Sequence, residues 1–307
     1  MMWFYLSILG YAILAVVSIM DKFLLSEAKL SSPLYVFYST VFLLPIFLLV
    51  PFGVTYPQLG WDWFLIILSG FSFGFGLYGA FVGFEQSEVS HIGPLIGAAI
   101  PLFTLFLSRY FLGEILSGKT LLAVCFLIVG SLIVSFEKSK LHNGWHKGVW
   151  FGLLSGLLFA ISNVSSKYIY DIYGFFSGFV WTRGAIGIFG ILIFFHPAVY
   201  AKLFHQTWWT KIKNKLVVKN QQNSLSVVVV DKILGMTGVL FIQYAIAIGS
   251  VTLVNALTGL QYAFLIILVF ILTKFWPRTF REDYAKGEIF QELVAIFIIV
   301  IGLMLLV

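Results

Sequence analysis

FVWTRGAIGIFGILIFF, residues 179–195, reads as a helix dissolved in lipid with an arginine, Arg183, inside it. A charge near the middle of a membrane helix costs about 2.5–3.5 kcal/mol on insertion scales. How its surroundings accommodate Arg183 therefore decides what kind of protein this is. The rest of the 307-residue chain shares the lipid setting: 60% of it is hydrophobic, 10% is charged, and 33 residues are phenylalanine. Soluble domains run at about 45–50% apolar and about 25% charged. A chain this poor in charge cannot cover a water-facing surface, so it is an integral membrane protein.

The same composition excludes several classes. The net charge of +6 sits in the connections between apolar runs, with no basic stripe interleaved with aromatics, so nucleic acid is not an expected partner. Cys125, the single cysteine, rules out an intrachain disulfide or a cysteine-rich zinc site and reads as a small core residue. The N-terminus, MMWFYLSILGYAILAVVSIMDKF, lacks a basic leader region and an A-x-A cleavage site, and reads as a first span rather than a signal peptide. No phosphate-binding loop, H-E-x-x-H, G-x-S-x-G or dinucleotide turn is found. The G-x-G at Gly74 and Gly76 falls inside an apolar run. The expected protein is not an enzyme, carries no cofactor and has no built-in ATP drive.

Ten apolar runs are long enough to cross a bilayer as helices. They lie near 3–21, 33–52, 63–83, 92–112, 117–136, 148–167, 176–196, 232–249, 252–274 and 289–306. Breaks fall at Pro51–Gly53 and Pro57, the Glu85–Glu88 turn, Lys138–Lys147, His196–Pro197 and Trp276–Pro277. A shift of about 145 positions lays Lys22 on Lys167 and Ser32 on Ser177, and sets Arg183 opposite Tyr38. A shift of about 162 lays Val89, Leu95 and Gly97 on Val251, Leu257 and Gly259. The expected fold is all-α, ten transmembrane helices in two five-helix repeats, 1–139 and 145–307. Five is odd, so the second repeat enters the membrane inverted. That is a transporter architecture with its substrate site near the midplane.

FEQSEVSHIGPLIGAAIPLFTLFLSRYFLGEILSGKTLLAVCFLIVGSLIV, 84–134, resembles the third-to-fifth span signature of the EamA-like group of the drug/metabolite transporter superfamily. The matching pieces are a small-residue fourth span with Pro101, then Leu112-Gly113-Glu114, then a glycine-containing fifth span through Val129-Gly130. GLLFAISNVSSKYIYD (156–171) is similar to the start of that family's second half, and IGSVTLVNALTGLQYAFLIIL (248–268) to its ninth span. The pattern departs at Lys274-Phe275-Trp276-Pro277, where the first half has Leu-Gly-Glu, so only Glu114 matches the family's turn glutamate. The resemblance implies transport of amino acids, related metabolites or drugs, often as efflux.

Lysine and arginine in the connections set orientation. The odd-numbered connections carry 15 of them and the even-numbered ones Arg109, Lys119 and Lys167, which places both termini outside. The resemblance implies both termini in the cytoplasm instead.

Each candidate functional residue has a structural alternative. Arg183 reads as a fixed cation for a substrate carboxylate or phosphate, with Thr182 as a neighbouring donor. Alternatively it snorkels over the roughly 11 Å to its helix end or pairs with Asp21. Asn255, Thr258 and Tyr262 fall at i, i+3 and i+7, with Gln261 beside them. Asn163 with Ser166, Gln243 with Tyr244, and Tyr38 complete the candidates for substrate binding. They line a cavity or bond helices together at about 0.6–2 kcal/mol each. Asp21, Glu85, Glu88 and His91 are coupling candidates, against a solvated loop for the last three; no closed metal-ligand set results. Lys22 and Lys167 flank a cavity or anchor at the interface. Gly70, Gly74, Gly79 and Gly83 read as a packing face, and Gly93, Pro94, Gly97 and Pro101 likewise. Trp208-Trp209 with Lys211, Lys213 and Lys215 reads as an interfacial segment.

The function expected is secondary transport of a small metabolite across a plasma membrane by alternating access. The alternatives are a carrier of phosphorylated or nucleotide-linked sugars or lipid-linked intermediates, and a membrane scaffold or enzyme without flux. Expected partners are a small-molecule substrate and the bilayer, with the chain as monomer or homodimer.

Overall fold

The computed structural model describes residues 1–28, 32–58, 60–86, 89–135, 148–204, 218–275 and 286–306. All regular structure among them is helical. This is the expected outcome for a chain whose backbone must satisfy its own polar groups in lipid. The elements are α1 (Met2–Ala28), α2 (Ser32–Val41), a 3-10 helix (Leu44–Phe52), α3 (Gly60–Gln86), α4 (Val89–Phe111) and α5 (Gly118–Ser135). They continue as α6 (Gly148–Phe194), α7 (Pro197–Phe204), α8 (Val218–Ile248), α9 (Val251–Ala256), α10 (Thr258–Phe275) and α11 (Lys286–Leu306).

Among the described residues, seven stretches are long and apolar enough to cross a membrane, against the ten expected. The difference has two sources. Gly118–Val134 and Leu293–Leu306 are apolar helices of fewer than 18 residues. Gly148–Phe194 is one stretch of 47 residues, about 70 Å if straight, more than twice the roughly 30 Å hydrocarbon core. It is not straight. Gly174 has φ 75° and ψ 164°, a backbone state essentially confined to glycine, and it divides α6 into arms 148–173 and 175–194.

Three expected boundaries move. The run 33–52 is not one α-helix: Pro45 has no N–H for the Val41 carbonyl and its ring clashes there, so α2 ends at Val41 and the chain tightens into the 3-10 segment. The run 252–274 breaks at Leu257, between α9 and α10. The sixth run continues through Lys167 as far as the Gly174 bend.

Small residues decide the packing. The principal pairings are α3 with α6, α1 with α8, α5 with α11, α4 with α6 and α1 with α10. A Cβ on Gly70 would lie 2.5 Å from that of Ala185, and one on Gly74 would lie 2.2 Å from the Phe189 ring. Gly79 faces Ser155 and Gly83 faces Ile92, so the glycine face of the third run is a packing face, as its spacing suggested. Cys125 is the exception to expectation, because it is exposed on α5 rather than in the core. Trp208–Lys215 lies outside the described residues.

Candidate functional site

Arg183 stands nine residues beyond Gly174 and eleven before Phe194, roughly 13 and 16 Å of helix. Its side chain is 1% exposed, so it does not snorkel. The guanidinium lies between the Phe73 and Phe179 rings, 5.5 and 5.7 Å from their centroids. Tyr170 is its electrostatic neighbour. Nε and Nη2 are buried without a hydrogen-bond partner. The expected alternative partner, Asp21, is engaged elsewhere: it accepts from the Tyr35 hydroxyl and lies beside Lys232.

A directional chain of donors runs from Tyr170. Its hydroxyl donates to Gln243 Oε1 at 2.9 Å. Gln243 Nε2 donates to Asn163 Oδ1 at 3.1 Å, and Asn163 Nδ2 to Asn255 Oδ1 at 3.1 Å. Asn255 Nδ2 donates to Thr104 Oγ1 at 2.9 Å, and Thr104 donates to the Ile100 carbonyl at 2.7 Å. Each amide accepts at its oxygen and donates from its nitrogen, so the amide orientations follow from the network. The chain links the first arm of α6 to α8, α9 and α4. Arg183, Gln243, Asn163 and Asn255 were singled out in the sequence. Tyr170 and Thr104 were not: a tyrosine and a threonine in apolar runs carry no signal until their partners are known.

The other candidates fall elsewhere. Thr182 donates within its own helix to the Gly178 carbonyl at 2.7 Å, so it is not a free donor beside Arg183. Tyr38 stacks on Phe42 and takes no part in the chain. The i, i+3, i+7 face of the ninth run is split by the break at Leu257. Thr258 Oγ1 sits 2.6 Å from the Asn255 carbonyl and 3.0 Å from the Tyr11 hydroxyl, which donates to the Val254 carbonyl. These contacts occupy carbonyls where α9 gives way to α10. Tyr262 instead lies flat on α4: a Cβ on Gly97 would be 2.2 Å from its ring. Gln261 bonds Ser18, and Ser166 bonds Ser69 rather than joining Asn163.

Contacts at the two ends of the helices tie the halves together. Glu114 follows Gly113, whose φ is 66°, and accepts from Thr252 at 2.5 Å while Thr252 also contacts Ser108. Lys167 bonds the Ala247 carbonyl at 3.0 Å and Asp171 at 2.8 Å, supplying a cation to the C-terminus of α8 rather than snorkelling to lipid. Glu85 is exposed and accepts from the Ser32 backbone at 2.8 Å. Glu88 and the side chain of His91 lie outside the described residues. Among those described, no group of three metal-ligating side chains occurs.

Residues 1–136 match the model of the EamA-like transporter family, so the first part of the chain is similar to that family. That family belongs to the drug/metabolite transporter superfamily. The EamA-like match covers α1 to α5. Gly97, Pro101, Glu114 and Thr104 lie within it; Arg183 and its other network partners lie beyond it. No curated protein matches the chain. A solved crystal structure of a protein is similar over 98% of this chain and 93% of its own, with a TM-score of 0.63 and 16% identity. At that identity the likeness shows the fold alone.

Proposed function

We propose that the protein is a secondary transporter that carries a small metabolite bearing a carboxylate across the plasma membrane, by alternating access and without ATP. The single observation behind the substrate class is Arg183. It is a mid-depth cation with two buried N–H groups lacking partners, at the head of a donor chain that reaches α4 in the first half. Unpartnered buried donors on a cation cost more than neutral ones, and a carboxylate accepts two such bonds in one plane. An amino acid or a related acid fits this. A phosphorylated or nucleotide-linked sugar brings more negative charge than one guanidinium balances.

The transport cycle rests on ten crossings in two inverted halves, 1–139 and 145–307. The packing supports it: pairing of the first run with the eighth is mirrored by pairing of the sixth with the third. Likewise the fourth run against the sixth is mirrored by the ninth against the first, and the fifth packs on the tenth. Such exchange is what a two-fold axis in the membrane plane produces. Rocking of one half against the other would expose Arg183 to each side in turn. The charge count favours odd-numbered connections in the cytoplasm, which a reporter fused to the C-terminus tests.

Uptake into proteoliposomes against a panel of carboxylate metabolites, their amides and sugar phosphates tests the reading. Uptake of a carboxylate compound and not of its amide is expected. No flux for any compound, with protein that remains folded, would favour a scaffold; flux confined to sugar phosphates would overturn the substrate class.

A further inference from the structure

A second set of ionisable groups lies at the other end of α1 and α8, away from Arg183. Asp231 on α8 is 0% exposed, and neither of its carboxylate oxygens accepts a hydrogen bond. Its Oδ2 is 3.0 Å from Lys232 Nζ. The Asp21 carboxyl on α1 lies 3.9 Å from the same ammonium, so the two carboxyl groups converge on one cation. Lys232 Nζ donates to the Tyr35 hydroxyl at 2.7 Å and sits 4.1 Å from the centre of its ring. Tyr35 in turn donates to Asp21. Two helices assigned to opposite halves, with α2 between them in the contact, thus converge on two carboxyl groups and one cation.

The charge in this cluster does not close with ordinary protonation states. Both carboxylates ionised against one ammonium leave a net negative charge at a site where one acid is fully out of water, an expensive arrangement. Two carboxyl groups drawn to one ammonium repel each other when both are ionised, and a shared proton removes that repulsion. One proton makes the cluster neutral and gives Asp231 the hydrogen bond it lacks. Water reaches the cluster from one side, since the Asp21 and Lys232 side chains are 28% and 20% exposed.

Among the described side chains, the neighbouring elements supply no competing partner. Glu85 on α3 is bonded to the start of α2, and His196 before α7 packs on the Tyr78 ring. Tyr262 on α10 lies on the α4 glycines, and Lys167 and Asp171 on α6 pair with each other. Among the described side chains, Asp21, Tyr35, Asp231 and Lys232 are the groups that face one another here.

We propose that Asp21 and Asp231 form a proton-binding site that holds one shared proton between α1 and α8, with Lys232 as its fixed counter-charge and Tyr35 as the donor that orders it. Protonation comes from water on the exposed side, with neither covalent change nor another reactant. Loss of the proton leaves two carboxylates around one ammonium, which repel and loosen α1 from α8 at this end. Resting on the transport reading, this makes opening of that end proton-dependent, so that a pH gradient drives the cycle. The site itself is tested without any substrate.

The test is an infrared pH titration of the protein reconstituted in lipid. It follows the C=O stretch of protonated carboxyl groups, identified by its shift in D2O. A band present at low pH and lost as pH rises is expected in the wild type, and both Asp231→Asn and Asp21→Asn remove it. Lys232→Met keeps the band and moves its midpoint to higher pH, because the cation that favoured the ionised form is gone. A band unaltered by both asparagine variants would overturn the proposal, as would a wild type with no such band at any pH at which it stays folded. A midpoint that stays put or falls in Lys232→Met would overturn the role of the lysine. Asn is isosteric with Asp, and thermal unfolding confirms that each variant is folded. If one asparagine variant fails that check, the other decides. A band that behaves as expected, in a protein with no flux, would sink the transport reading and leave the proton site standing.

Discussion

Replacing Arg183 by methionine separates a structural arginine from one kept to receive a ligand. Methionine is close in length, adds no polar group, and can pack its thioether on the same two rings. The substitution removes the attraction between Tyr170 and the guanidinium, about 0.5–1.5 kcal/mol for a polar contact. It also removes two ring contacts at about 0.5–2 kcal/mol each. Against this, it relieves two buried N–H groups without partners, about 1–3 kcal/mol each. It also relieves the desolvation of the cation itself, several kcal/mol in a protein interior. The gains match or exceed the losses, so the variant is expected to be as stable as the wild type or more so. Thermal unfolding followed by tryptophan fluorescence measures this, since Trp181 lies on the same helix. The same experiment repeated with a carboxylate panel should show ligand stabilisation in the wild type and none in the variant. Breaking a buried pair costs about 3–5 kcal/mol. A destabilisation of that size in Arg183→Met would show that the arginine holds the fold together and refute the reasoning.

Three further substitutions test individual features. Gly174→Ala should cost about 1–3 kcal/mol through backbone strain alone, because nothing lies within 4 Å of the added Cβ; an unchanged unfolding temperature would show the bend is not held. Gly97→Ala should cost about 1–3 kcal/mol by overpacking against Tyr262, and Tyr262→Leu in the same chain should return part of it; additive losses would mean the two do not touch. Asn255→Ala should cost about 1–3 kcal/mol by stranding Asn163 and Thr104, read by unfolding in detergent, and a loss under 0.5 kcal/mol would deny the donor chain.

Much of the helical layout was legible from apolar run length, because lipid forces helices wherever apolar runs are long. Glycines 70, 74, 79 and 83 were legible as a packing face because spacing alone puts them there. What escaped depended on partners in distant sequence. Pro45 did not announce that the second run would become a 3-10 segment, since prolines in membrane helices are often accommodated. The break at Leu257 has no proline or glycine to mark it. Arg183, Gln243, Asn163 and Asn255 stood out as polar residues in lipid-depth runs, yet Tyr170 and Thr104, which complete their chain, did not. Asp231 falls just outside the eighth run, 232–249, and only the approach of α1 turns it into half of a carboxyl pair. Periodicity put Asn255, Thr258 and Tyr262 on one face, and the turn at Leu257 between α9 and α10 goes with side chains that find different partners.

The central claim is that Arg183 anchors the substrate of a transporter. The most direct measurement compares the exchange rate of a carboxylate metabolite and its neutral amide in proteoliposomes of the wild type and of Arg183→Met at equal protein incorporation. The account predicts that the wild type exchanges the acid far faster than the amide and that the variant exchanges neither. Equal rates for the acid in both proteins would contradict it.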